Sequence, residues 1–168
     1  RLSAQLILDG MVTDRKEQNF GVREVQTEGK HILLNGRPIQ LRGASMHEQH
    51  PAWGNSLPQW QVEHDLRLLS YCGLNEVRAA HCPPAQTLYD ACERAGAWVL
   101  AERPCWQFNE RHFTDRDRLK MCLDYACEMV HQLGHHPCIV GWVIQNESAT
   151  HQAGATDFFR AINETFKQ

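Results

Sequence analysis

The chain has 168 residues, 42% of them hydrophobic and 22% charged, with 17 Lys and Arg against 20 Asp and Glu and a formal net charge of -3. This is the composition of a folded globular chain, and its scattered basic residues give no electrostatic footprint for nucleic acid. No apolar run nears the roughly 18 residues a membrane span needs, no charged-then-apolar leader opens the chain, and seven cysteines without a CxxC pair point to a reducing, cytoplasmic compartment.

From Leu2 to about Leu41 the pattern is β. Leu2, Ala4, Leu6 and Leu8 alternate with other residues as in a strand with one apolar face, and Asn35-Gly36 predicts a tight turn between Ile32-Leu33-Leu34 and Ile39-Gln40-Leu41. Beyond Gly43 strands and helices alternate. A first strand is expected over Pro38 to Ser45, then a helix opened by the capping-box spacing Ser56-Leu57-Pro58-Gln59, with Val62, Leu66, Leu69 and Cys72 on one face and Gly73 at its end. A second strand, Asn75 to Ala80, leads to a helix from about Pro84, with Leu88, Ala91, Cys92 and Ala95 inward and Gly96 as its stop. A third strand, Ala97 to Ala101, leads to a long helix opened by Thr114-Asp115-Arg116-Asp117, with Leu119, Leu123, Ala126, Val130 and Leu133 along its apolar stripe. His136-Pro137 interrupts the chain before a continuous apolar run, Cys138 to Ile144, that reads as a parallel strand, and a last helix is expected over about Thr156 to Phe166.

Alternating strands and helices argue for parallel βαβ units in an α/β fold. Four such units are half of a (β/α)8 barrel, which usually takes about 250 residues, so the alternatives are a small open sheet or a TIM barrel represented by its first half. In either case chemistry belongs at the carboxyl ends of the strands. Those ends are polar: His47-Glu48, Arg78 with His81, Glu102-Arg103 and Asn146-Glu147.

A carboxyl group at the end of an apolar strand beside a Trp is expected to be desolvated and protonated near neutral pH, which makes Glu147 a candidate general acid. Glu48 and Glu102 are the strand-end carboxylates available as its partner. His47-Glu48-Gln49-His50 has its histidines three apart and Pro51 next, unlike a helical zinc motif, and His81-Cys82 with Cys105 lacks a second close ligand pair, so no metal site is assigned. His135-His136 is expected to cap the preceding helix. Trp106, in the long loop after the third strand, is the candidate platform for stacking a sugar.

The ordered motifs resemble glycoside hydrolase family two, the β-galactosidase, β-glucuronidase and β-mannosidase group, over nearly the whole chain. Phe20-Gly21-Val22-Arg23 is similar to the family's junction between an immunoglobulin-like sandwich and its barrel; Leu34-Asn35-Gly36-Arg37-Pro38, Leu41-Arg42-Gly43 and His47-Glu48 resemble its first barrel strand. Asp65, Gly73-Leu74-Asn75, Val77-Arg78, His81 and Pro83 match its second unit, and Tyr89, Cys92, Gly96, Val99 and Glu102 its third. His136-Pro137-Cys138-Ile139, Trp142 and Asn146-Glu147-Ser148 resemble its acid/base signature.

The resemblance implies a retaining exo-β-glycosidase, first a β-galactosidase, with β-glucuronidase or β-mannosidase as alternatives and a non-catalytic sugar-binding or structural fragment as the rival class. It implies that residues 1–24 are the tail of the sandwich and residues 25–168 the first half of the catalytic barrel. Glu147 would be the acid/base, Asn146 would hydrogen-bond the sugar 2-hydroxyl, and Arg78 would hold the nucleophile ionised. His81, His47, Glu102 and Trp106 would bind the substrate. No cofactor is assigned, beyond a possible Mg2+ or Na+ ion in the full-length enzyme, and two copies closing an eight-stranded assembly is the corresponding homo-oligomer. Ala101 stands where the family usually has Asp, Gln145 where it has a small residue, and Ala149-Thr150-His151 where galactosidases continue in glycines. The family's nucleophile, a glutamate on strand seven, has no counterpart in these residues.

Overall fold

The computed structural model describes residues 1–167. The first part is two antiparallel pieces. Strands β1 (Leu2–Leu8) and β2 (Met11–Gln18) form a hairpin through Asp9-Gly10, where both residues take positive φ as a tight primed turn requires. The apolar face expected of β1 is not covered: Leu2, Leu6, Leu8 and Met11 are all exposed. Strands β3 (Val25–Glu28), β4 (His31–Leu34) and β5 (Arg37–Ile39) form a meander, with Asn35-Gly36 making the turn anticipated from the sequence.

The second part is a parallel sheet. β6 (Gly43–Met46) is followed by α1 (Gln59–Tyr71), β7 (Glu76–Ala79), α2 (Gln86–Ala95), β8 (Trp98–Glu102), α3 (Glu110–Phe113), α4 (Arg116–Leu133), β9 (Ile139–Val143) and α5 (Ala155–Phe166). The sheet runs β6-β7-β8-β9 in chain order, every pair parallel. A doubly wound open sheet reverses its order at a switch point; this one does not, which is the layout of a barrel segment.

One expected strand, Pro38 to Ser45, divides in two. Its first part pairs with β4, and Asn75 intervenes: its side chain accepts from the Arg42 N–H (2.8 Å) and donates to the Gln40 carbonyl (2.9 Å), taking backbone groups that a continuous ladder would need. Gly43 then passes so close to Glu76 that a Cβ there would overlap its carboxylate.

Val77 and Ala79 of β7, with Val99 and Ala101 of β8, point to one face, where they meet Val62 and Leu66 of α1, Leu88, Tyr89 and Cys92 of α2, and Met129 of α4. Burying each Val or Leu there contributes roughly 1.5–3 kcal/mol. A second cluster joins Phe113, Cys122, Phe158 and Ile162 beneath α3 and α5.

Several local expectations shift. Pro58, not Ser56, is the cap of α1, and no side chain bonds there; Cys72 lies past the last turn and is exposed, as is Ala95 at the end of α2. The buried face of α4 is Cys122, Ala126, Met129 and Leu133, so the stripe is rotated from the Leu119–Leu123–Val130 line, whose members are half-buried. Within the expected opening Thr114 to Asp117, the cap of α4 is Asp115, which accepts from the N–H groups of Asp117 and Arg118. The short α3, capped by Asn109, was not anticipated.

Residues 18–23 dock on the loop before β9. Arg23 donates through Nε to the Ile139 carbonyl (2.6 Å) and through Nη1 to that of Gly134 (3.3 Å), and a Cβ at Gly21 would overlap Pro137.

Candidate active site at the carboxyl ends of the strands

β7 and β8 alternate, so Glu76, Arg78 and Glu102 project from the face opposite the helix-packed core. Glu102, the last residue of β8, is wholly buried, and a buried carboxylate persists as an ion only when paired and hydrogen-bonded. Arg78 Nε donates to its Oε2 at 2.8 Å, and His81 Nδ1 lies 2.8 Å from its Oε1. A carboxylate accepts at both oxygens, so His81 carries its proton on Nδ1 and leaves Nε2 free. Arg78 Nη2 also donates to Asn146 Oδ1 at 2.8 Å, which fixes the amide and leaves its NH2 as the free donor. Arg78, His81, Glu102 and Asn146, singled out one by one in the sequence, are therefore a single network. Glu102 itself presents no surface, so its part in the site runs through Arg78 and His81, in place of the direct sugar contact expected of it.

Glu147 follows Asn146 in a left-handed backbone conformation, φ 51°. The segment after β8 runs beside it, with Asn146 N–H donating to the Cys105 carbonyl (2.8 Å) and Gln107 N–H to the Asn146 carbonyl (2.9 Å). Trp106 Nε1 and Gln107 Nε2 each donate to Glu147 Oε2 at 3.2 Å. The sequence expectation of a desolvated, protonated Glu147 is corrected here. Its carboxyl is held below the usual carboxylate range, first by the Trp106 indole and then by the Gln107 amide, with smaller contributions from His81 and Arg78. The expectation took Trp142 as the neighbour, but that ring packs into the core against Phe166, centroids 5.2 Å apart.

Beside this network lies a cavity of about 560 Å³ lined by His47, Glu48, Asn55, His81, Cys82 and Trp106 among others. His47 meets His81 edge-on at 5.1 Å, and the Trp106 ring is nearly parallel to His81, 10° between planes and 6.2 Å between centroids. Trp106 is more than half exposed, as a stacking platform must be. Glu48 accepts from the Ala85 N–H (2.9 Å), the capping residue of α2, where a helix N-terminus favours a negative charge. Both carboxylates considered as partners of Glu147 are thus engaged elsewhere.

Among the described residues, one set of three potential metal-ligating side chains comes together, and it lies away from this groove: Glu93, His136 and Cys138. Glu93 Oε1 is 2.7 Å from His136 Nδ1, hydrogen-bond spacing, and His136 Nε2 contacts Gln86, so these groups already satisfy one another. His136, expected as a helix cap, is buried instead; Gly134 ends α4. Gln107 escaped the sequence reading because a loop amide carries no periodic signal, and only the pairing of residues 105–108 with 146–149 brings it to the carboxylate.

The description "Glycosyl hydrolases family 2, TIM barrel domain" matches residues 25–168. A β-glucuronidase of Streptococcus agalactiae is 30% identical over 97% of this chain and 29% of its own length, and a β-galactosidase of Thermoanaerobacter pseudethanolicus 32% identical over 97% of this chain and 21% of its own. The solved structure of Bifidobacterium dentium β-glucuronidase superposes with a TM-score of 0.87 at 27% identity, covering 98% of this chain and 28% of that one. The chain therefore spans less than a third of the length of these relatives.

Proposed function

The chain belongs to glycosyl hydrolase family 2, and from that premise we propose that it supplies the acid/base half of a retaining β-glycosidase site. The observation that carries the reading is the fixed amide of Asn146 beside Glu147: Arg78 takes the amide oxygen, so the NH2 is committed as a donor next to an exposed rim carboxylate that two other side chains orient. In this reading a terminal β-linked sugar stacks on Trp106, with His47 and the Nε2 of His81 as polar contacts. The Asn146 NH2 donates to the 2-hydroxyl oxygen, a bond that strengthens as the anomeric centre gains oxocarbenium character. Glu147 gives a proton to the departing glycosidic oxygen, then takes one from the water that opens the glycosyl-enzyme ester. Arg78, tied to Glu102 and Asn146, keeps positive charge near the position of an attacking carboxylate. That carboxylate comes from outside these residues, since Glu102 is buried and Glu48 caps α2.

The sugar is a β-galactoside or a β-glucuronoside, the substrates named for the relatives. They differ in the charge at C6, and Arg78 is already paired with Glu102.

The test is hydrolysis of an aryl β-galactoside and an aryl β-glucuronide, measured on this chain and on the longest polypeptide that carries it. In the longer protein Glu147→Gln lowers kcat by about 10²–10⁴-fold. The chain alone shows no turnover above the same variant. Turnover by the chain that Glu147→Gln abolishes would put the nucleophile within these residues and overturn the two-part reading; unchanged kcat in the longer variant would remove Glu147 from its role.

A further inference from the structure

Glu147 and Gln107 face each other from two segments, and each is a non-glycine residue in the left-handed region, at φ 51° and 55°. That conformation costs of order 1 kcal/mol or more per residue and persists where the surroundings over-determine it. The surroundings are a short zipper: Gln107 N–H to the Asn146 carbonyl (2.9 Å), Asn146 N–H to the Cys105 carbonyl (2.8 Å), Phe108 N–H to Ser148 Oγ (3.2 Å) and Ala149 N–H to the Phe108 carbonyl (2.7 Å). What the zipper achieves is the convergence of the Trp106 indole N–H and the Gln107 amide on a single oxygen, Oε2, of Glu147.

We propose that Trp106 and Gln107 are positioning residues for the acid/base, holding the Glu147 carboxylate by that one oxygen and leaving Oε1 to face the glycosidic oxygen. This rests on the acid/base reading of Glu147 and adds to it the two groups that orient its carboxylate. No other donor is bonded to the carboxylate among the described residues. The groups facing it are the His81 imidazole from beyond β7 and the Arg78 guanidinium from within it, both bound to Glu102 on β8, and its own neighbour Asn146 is neutral and bound to Arg78. The two donors are the largest influences on the carboxylate, ahead of the opposing effect of burial and of the charges of its neighbours, so loss of either is expected to raise its midpoint.

Trp106 thereby has two tasks, a ring face for a sugar and an N–H for Glu147. Both residues are on an exposed loop and contribute nothing to the core, so replacing them leaves the fold intact.

The experiment is a 13C NMR titration of the chain with labelled glutamate side chains, using Glu147→Gln to identify the resonance, on the native protein and on Trp106→Phe and Gln107→Leu. Trp106→Phe keeps an aromatic face and removes the N–H; Gln107→Leu keeps bulk and removes the amide. The expected result is an upward shift of the Glu147 midpoint in both, larger for Trp106→Phe, with the other glutamate resonances unmoved. Midpoints unchanged in both variants overturn the proposal. The readout does not depend on turnover: an upward shift in a protein family whose longer form is indifferent to Glu147→Gln would leave the hold standing and the glycosidase reading broken.

Discussion

The two ends of the parallel sheet each carry a carboxylate bound to a histidine, and they are put to different uses. At the carboxyl end Glu102 is the buried partner, and His81 and Arg78, each with about 30% of its side chain exposed, reach past it to the groove. At the amino end the order is inverted: His136 is buried, covered by the Tyr89 ring at 5.0 Å and bonded to Gln86, while Glu93 is the partly exposed member. The same pair of residue types becomes a site where the carboxylate is beneath and a structural plug where the histidine is. What separates them is which partner keeps a free hydrogen-bonding edge toward open space.

Breaking each pair should expose that difference. Glu102→Ala strands the Arg78 guanidinium and frees His81; with Arg78 part-exposed, the loss is expected at about 2–3 kcal/mol in urea unfolding, together with loss of sugar binding. His136→Ala opens a cavity and leaves Glu93 without its partner, at about 2–4 kcal/mol, yet sugar binding in the folded fraction is retained. Equal effects of the two variants on binding would dissolve the distinction.

A smaller effect is expected from His135, beside the sealed end. Burial, and then its neighbour His136, lower its pKa, and its Nε2 is 2.9 Å from the Gln18 amide, which donates to a neutral ring. The unfolded chain therefore takes up this proton first. Stability is full above the unfolded value near 6.5 and declines as pH falls through it toward the lower folded value. His135→Gln should flatten that part of the stability profile, and an unchanged slope would show that the ring is free of the junction. The smallest perturbation is thiol labelling at pH 8. Cys72, Cys82 and Cys127 are exposed and should react in the native protein, whereas Cys92, Cys105, Cys122 and Cys138 should wait for unfolding. Burial pushes Cys105 up to about 11 and Cys92 up to about 12, so little thiolate forms there.

By itself the sequence determined the alternation of strands and helices, the Asn35-Gly36 turn, the opening of the long helix within Thr114 to Asp117 and the polar strand ends, because these follow from local periodicity and short-range hydrogen bonding. The split of the first barrel strand was not legible, since it depends on Asn75 reaching back 33 residues to Arg42. Nor was the ionisation of Glu147: the neighbouring Trp142 along the chain turned into the core, and the indole that bonds the carboxylate, Trp106, arrives from 41 residues away. The residue types at the rim were written in the chain, but burial, hydrogen-bond partners and therefore proton affinities are properties of groups brought together across the sheet. Only the tertiary structure could decide that Glu102 anchors, that His136 seals and that Glu147 is held by two donors from another segment.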